Sequence, residues 1–285
     1  MQKPTLGFVG AGKVGHTLAR LWYSRGYVVS AVFSRTQEHA RSLADQVEAE
    51  VVDSPARVVA AADLILLTVP DDAVMTVASE IAGYDLPFEK AVVHTSGALS
   101  REVLSPLAEL GFMTGSLHPA FPFADVGTAA ARLPGTTFGI EYESDALRGW
   151  LIDLIQAVDG QVFVIPSGGK ALYHSAFVFA SNYTVTLYAI AEKLLLSLGA
   201  GRDVADNALN GLLAGTLANL SRQGIPDALT GPLVRGDTQT IRLHLEALKQ
   251  VDSELAALYT QLARLSLPVL EARQLDTTFV EQLLR

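Results

Sequence analysis

Short apolar runs alternate with segments of helical period over the first 166 residues, and this alternation limits the fold more than any other feature. The runs fall at residues 5–9, 28–33, 51–52, 64–69, 91–94, 113–117, 137–141 and 162–165. Helical segments at residues 14–24, 37–45, 55–61, 73–81 and 101–109 separate the first six. Such alternation demands βαβ units and a mainly parallel, doubly wound sheet with both faces covered. After Leu117 the connections carry weaker helical signals, so the last strands are expected to extend the sheet differently. Beyond Pro166 the Gly168-Gly169 pair breaks the pattern. The period then becomes helical, at residues 170–198, 203–222, 238–249, 253–265 and 277–284. The expected architecture is an α/β domain over residues 1–166 followed by an all-α domain over residues 167–285.

Composition narrows the function. A length of 285 residues suits about two domains. With 49% hydrophobic and 18% charged residues, the chain can build a packed core. The formal charge of −9 repels phosphate backbones, so nucleic acid is not an expected partner. Without cysteine there are no disulfides, thiolate nucleophiles or cysteine metal sites. The six histidines lack metal-ligand spacings, so no metal is expected. Residues 5–9 form too short a run for a signal peptide. The most apolar stretch, residues 176–198, carries Asn182, Glu192 and Lys193. It reads as a buried helix of a cytoplasmic protein rather than a membrane span.

Gly10-Ala11-Gly12-Lys13-Val14-Gly15 follows the first strand and opens a helix. That context makes GxGxxG the fingerprint of a Rossmann dinucleotide site. Gly10 permits the tight turn, Gly12 the approach of a pyrophosphate, and Gly15 close packing of helix on strand. Free N–H groups at the helix start bind the phosphate charge. The second strand ends at Ser34-Arg35. An NAD site calls for an acid near this point. A serine and an arginine fit a 2′-phosphate instead, so NADP is preferred. The plainer alternative makes Arg35 a solvated surface charge. Val69 and Pro70, at the end of the fourth strand, are expected on the nicotinamide side. Asp71 and Asp72 then read as helix caps.

A second set of polar residues clusters at strand ends and at the start of the long helix. Ser96 follows the fifth strand as a donor to substrate or cofactor, or as a plain turn serine. His118 closes the sixth and can orient a carbonyl or carboxylate. Lys170 and His174, at i and i+4, share one helix face. A lysine or histidine there can protonate the alkoxide left by ketone reduction and stabilise its charge. Asn182 stands about 80° round from His174 on an ideal helix and can donate to substrate. Their bland alternatives are a solvated lysine, a satisfied core histidine and an interhelical asparagine. Arg235 can clamp a substrate carboxylate bidentately. It can equally pair with Asp237, or the two can cap the helix from Thr238.

With these residues in place, the chain resembles the DUF2520 family of bacterial Rossmann-like proteins. The likeness rests on Gly10 to Gly15, Val69-Pro70-Asp71-Asp72, His94-Thr95-Ser96-Gly97 and Leu117-His118-Pro119. It continues through Tyr173-His174 to Asn182-Tyr183, Leu229-Thr230-Gly231-Pro232 and Arg235-Gly236-Asp237. The family looks like a branch of the 6-phosphogluconate dehydrogenase-like superfamily, which includes ketopantoate reductases and pyrroline-5-carboxylate reductases. The resemblance implies a homodimer built through the helical domain and an active site in the interdomain cleft. In related β-hydroxyacid dehydrogenases a lysine early on the long helix is catalytic, with an asparagine one turn later. Lys170 matches the lysine, and His174 stands in place of the asparagine. The expected function is hydride transfer between NADPH and a small keto acid, with ketopantoate the leading substrate. The alternatives are a non-catalytic NADP-binding regulator and an imine- or F420-coupled reductase.

Overall fold

The computed structural model describes residues 3–85 and 89–283. Strands β1 (Leu6–Val9), β2 (Val29–Phe33), β3 (Glu50–Val51), β4 (Leu64–Leu67), β5 (Ala91–His94), β6 (Met113–Pro119), β7 (Thr137–Tyr142) and β8 (Gln161–Val164) form one sheet. Their order is β3-β2-β1-β4-β5-β6-β7-β8. Pairing is parallel from β3 across to β6. β7 returns antiparallel to β6 and pairs parallel with β8. The strand direction thus changes after the sixth strand, where the helical signals weaken.

Successive strand residues point to opposite faces, and here both faces are buried. Phe8, Leu66, Val93, Leu117 and Ile140 pack on one side against helices α1 (Lys13–Ser24), α2 (Gln37–Val47) and α7 (Asp145–Gln156). Val9, Leu67 and Val92 pack on the other against α3 (Pro55–Ala61), α4 (Asp71–Ala82) and α5 (Ser105–Ala108). This burial explains why β1 and β4 read LGFV and LILL, with no polar alternation. Three helices go beyond the sequence reading: α6 (Val126–Arg132), α7 and, near the C-terminal end, the helix Leu267–Ala272. α7 carries its own signals, a Ser144 side chain accepting from Leu147 N and a buried stripe of Leu147, Leu151, Leu154 and Ile155.

Two compact units divide the chain, Met1–Val185 and Thr186–Arg285. The first keeps α8 (Lys170–Phe177) and a π-helical turn (Val178–Asn182) with the sheet. The long helix expected at residues 170–198 is therefore two helices joined by a π turn. The remaining helices are α9 (Tyr183–Ser197), α10 (Arg202–Gln223), α11 (Thr238–Val251), α12 (Ser253–Leu265), α13 (Leu267–Ala272) and α14 (Thr278–Leu283). Leu284, the end of the expected last helix, lies outside the described residues. In the second unit Ala263, Leu270 and Val280 form a small buried core.

The stretch expected to be a buried helix is not buried in the single chain. Phe179 is 67% exposed, Val185 69% and Leu187 43%. Apolar periodicity shows that a helix needs a cover, not what covers it. No helix among the described residues is long and apolar enough to cross a membrane.

Candidate active site

The order β2-β1-β4 places a topological switch between β1 and β4, where open α/β sheets bind ligands. A groove of about 530 Å³ opens there. Gly10, Ala11, Gly12, Ser34, Arg35, Val69 and Pro70 line it, joined by His39 and, on α4, by Asp72 and Glu80. Lys13, Val14 and Gly15 form the first turn of α1 beneath the loop.

The glycines differ in what they permit. Gly10 has φ +105°, and a Cβ there would lie 2.6 Å from Thr68 O. A Cβ on Gly15 would lie 2.6 Å from Gly10 O and 2.7 Å from Thr68 Oγ1. Thr68 Oγ1 locks this packing by donating to Gly10 O at 2.7 Å. Gly12 is different, because a Cβ there meets nothing within 4 Å. It caps α1 without a side-chain bond. The open space and the unpaired N–H groups of the first turn fit a pyrophosphate.

A second cluster sits where α8 crosses β5, β6 and β7. Register pairs His94 with Ser116 and Ser116 with Glu141, so the three share one face. All three are buried. Lys170, 2% exposed, lies over this polar row. Its Nζ donates to Ser116 Oγ at 2.7 Å and stands 3.4 Å from Glu141 Oε2. Ser116 in turn donates to Glu141 Oε2 at 2.7 Å. Two residues along the strands, His118 pairs with Gly139, and Gly139 with Phe163. Tyr173 covers Gly139, whose Cβ would occupy the space of the Tyr173 ring and hydroxyl. The Tyr173 ring stacks on Phe163 at 5.7 Å, and its hydroxyl lies 3.0 Å from His118 Nδ1. Lys170, Tyr173, His174 and Phe177 thus form the i, i+3, i+4, i+7 stripe by which α8 meets the sheet.

Burial sets the charge states. It pulls Lys170 below the ordinary lysine value, while the neighbouring Glu141 carboxylate and, more weakly, Asp71 push it back up. Burial, with the Lys170 charge adding to it, lowers His94 to about 3. The same two causes lower His118 to about 4, with His174 contributing. Both rings are neutral at pH 7. Burial raises Tyr173 to about 12, so its hydroxyl keeps its proton. His94 Nε2 lies 3.2 Å from Ser100 O, so that nitrogen carries the hydrogen. Its Nδ1, and Nδ1 of His174, are buried without a hydrogen-bond partner among the described residues.

The loop after β5 links cluster and groove. Ser96 donates to Asp71 Oδ2 at 2.8 Å and accepts from Ala98 N and Leu99 N. Its one hydrogen therefore goes to Asp71, at the start of α4, next to groove residues Pro70 and Asp72. Gly97 is pressed between the histidines: a Cβ would lie 2.6 Å from His174 Nδ1 and 2.8 Å from His118 Nε2. Asn182 ends the π turn, whose wider winding alters the angle that a 3.6-residue period assigns it. Arg235 belongs to the second unit, in the turn before α11. There Asp237 does the capping, accepting from Thr240 N at 3.0 Å.

Sequence reading did not single out Glu141, Ser116 or Tyr173 as site residues. Glu141 did leave a signal, a lone carboxylate in the otherwise apolar strand TFGIEY.

Comparison with known proteins agrees with this architecture. Residues 1–119 match the Rossmann-like domain family, and residues 136–266 match the domain of unknown function DUF2520. No curated protein matches. Among solved structures, protein TM1727 of Thermotoga maritima is 26% identical with TM-score 0.77, over 95% of this chain and 100% of that one. The candidate NADP oxidoreductase BF3122 of Bacteroides fragilis is 28% identical with TM-score 0.71, over 92% and 97%. A reductive aminase of Aspergillus terreus, solved with NADPH and ethyl-5-oxohexanoate, shares the fold at 17% identity and TM-score 0.63, over 92% and 94%. The chain thus carries a match to a Rossmann-like domain followed by a match to a DUF2520 domain.

Proposed function

We propose that this chain is an NADP-dependent oxidoreductase that reduces a small carbonyl or imine compound beside Lys170. One observation carries the reading: a buried lysine held on a polar strand row of the same sheet whose β1 and β4 ends form the glycine-loop groove. The description of BF3122 as an NADP oxidoreductase and the NADPH in the Aspergillus terreus reductive aminase support it. When bound, NADPH supplies the hydride.

Gly12 leaves room for the pyrophosphate, and Ser34 and Arg35 hold the 2′-phosphate. Val69 and Pro70 line the nicotinamide side. Lys170 is the first candidate for general acid, since a desolvated ammonium both donates a proton and stabilises a developing negative oxygen. His174 is the second candidate. His118, Asn182 and Arg235 are the candidate substrate contacts. Ser96 acts at one remove, by fixing the loop that carries Gly97.

A keto acid suits an ammonium facing an alkoxide, and ketopantoate heads that class. The reductive aminase supports an imine substrate equally well. A homodimer through the helical unit would cover Leu198 and Leu212, which are 83% and 71% exposed.

The test is NADPH oxidation by the purified protein with ketopantoate, other small keto acids and cyclic imines in parallel. Turnover with a keto acid supports the alkoxide reading, and turnover with imines alone moves the substrate class. Tight NADPH binding without turnover on any of them would overturn the enzyme reading in favour of a regulator.

A further inference from the structure

We propose that Glu141 is a positioning residue, which, through Ser116, holds the Lys170 side chain in place and in its ammonium form. Its kinetic consequence rests on Lys170 being the acid of the proposed reaction; its structural part does not.

The geometry has a direction. Lys170 donates to Ser116, Ser116 donates to Glu141, and the same Glu141 oxygen faces Nζ at 3.4 Å. Each hydrogen points away from the cation and toward the carboxylate. A neutral amine can still donate a hydrogen bond, but it loses the charge–charge attraction to the carboxylate. The network therefore favours the charged form, against the cost of burying it. The arrangement is built in by register: antiparallel pairing sets Ser116 opposite Glu141, beneath the first turn of α8.

The other groups around Nζ do not replace this role. His94 from β5 and His118 from β6 are neutral at pH 7. Asp71 from α4 acts on Lys170 through its charge, after Glu141. Its carboxylate is engaged by Ser96. Tyr173, on α8 itself, stays protonated and turns its ring toward Nζ at 5.9 Å. His174, one turn along α8, has its Nδ1 against Gly97. Glu141 is thus the carboxylate in closest contact with Lys170.

The experiment follows the Lys170 titration directly, by the Cε signal of protein carrying 13C-lysine, assigned by its loss in Lys170→Met. Glu141→Gln keeps the shape of the side chain and removes its charge. The expected result is a Lys170 titration moved to lower pH by about one unit or more, with NADPH affinity unchanged. Ser116→Ala is expected to move it the same way by less, and Glu141→Asp to restore part of it. The basic limb of the kcat–pH profile should shift with the Cε titration, because an acid must be protonated to act. An unmoved Cε titration in folded Glu141→Gln overturns the proposal. If that variant does not fold, an unmoved titration in Ser116→Ala overturns it. A moved titration in a protein that reduces no keto acid or imine upholds the positioning role and removes the enzymatic reading alone.

Discussion

One register row crosses the sheet from Val9 through Leu67, His94 and Ser116 to Glu141. Its first half is apolar and disappears into the core under α3 and α4. The second half is polar, equally buried, and lies under Lys170. Above the apolar half, the groove at the β1 and β4 ends is lined by a backbone loop of glycines and a helix start together with side chains such as Arg35, His39 and Glu80. Above the polar half, the cluster is made of side chains from separate elements, and in it Lys170, Ser116 and Glu141 satisfy one another. The difference shows where each half is vulnerable. The backbone loop tolerates change until something fills it. In the buried polar site these side chains depend on one another, so a single truncation leaves a partner unpaired.

The sharpest probe of that contrast is Gly12→Val. Open space surrounds its Cβ, so the fold should keep its melting temperature. The added methyls enter the groove, and NADPH affinity should fall about a hundredfold, as overpacking by 1–3 kcal/mol allows at its upper end. Calorimetric titration beside a thermal melt checks both; a collapsed melting temperature would erase the contrast. Next comes Arg35→Ala, the groove's one side-chain test. NADPH affinity should fall roughly tenfold or more while NADH affinity holds, since a charge-assisted contact to the 2′-phosphate is lost. Equal losses for both nucleotides would remove Arg35 from phosphate recognition.

The cluster should also respond to acid. His94 is lowered from 6.5 to about 3 on folding. Its neutral form is the folded one, so this contribution is full above pH 6.5 and is lost as pH falls toward 3. About 2 kcal/mol should disappear between pH 8 and pH 5. His118, lowered to about 4, acts in the same sense. Urea unfolding across this range checks it, and an equal pH slope in His94→Gln would contradict it.

The two halves also differed in how far they could be read from the chain. Gly10 to Gly15 announce themselves because the loop, its strand and its helix are contiguous. Lys170 and His174 show their shared face by helical spacing alone. Glu141 does not, because its partner Ser116 is 25 residues away and the pairing depends on β7 turning antiparallel. Ser96 looked free to bind substrate because its acceptor, Asp71, belongs to another strand–helix unit. The angle of Asn182 assumed a constant 3.6-residue period, which the π turn breaks. α7 follows a strand with only weak helical signal before it, yet Ser144 and its leucine stripe mark it. Local order was legible; contacts closed by strand register were not.

The most direct measurement is the steady-state reduction of the best substrate by Lys170→Met, with NADPH affinity determined on the same preparation. The predicted result is a kcat lowered by about 10²–10⁴-fold, the usual range for a lost general acid, with NADPH binding retained. A kcat close to that of the unaltered protein, with NADPH still bound, would contradict the assignment of Lys170 as the proton donor.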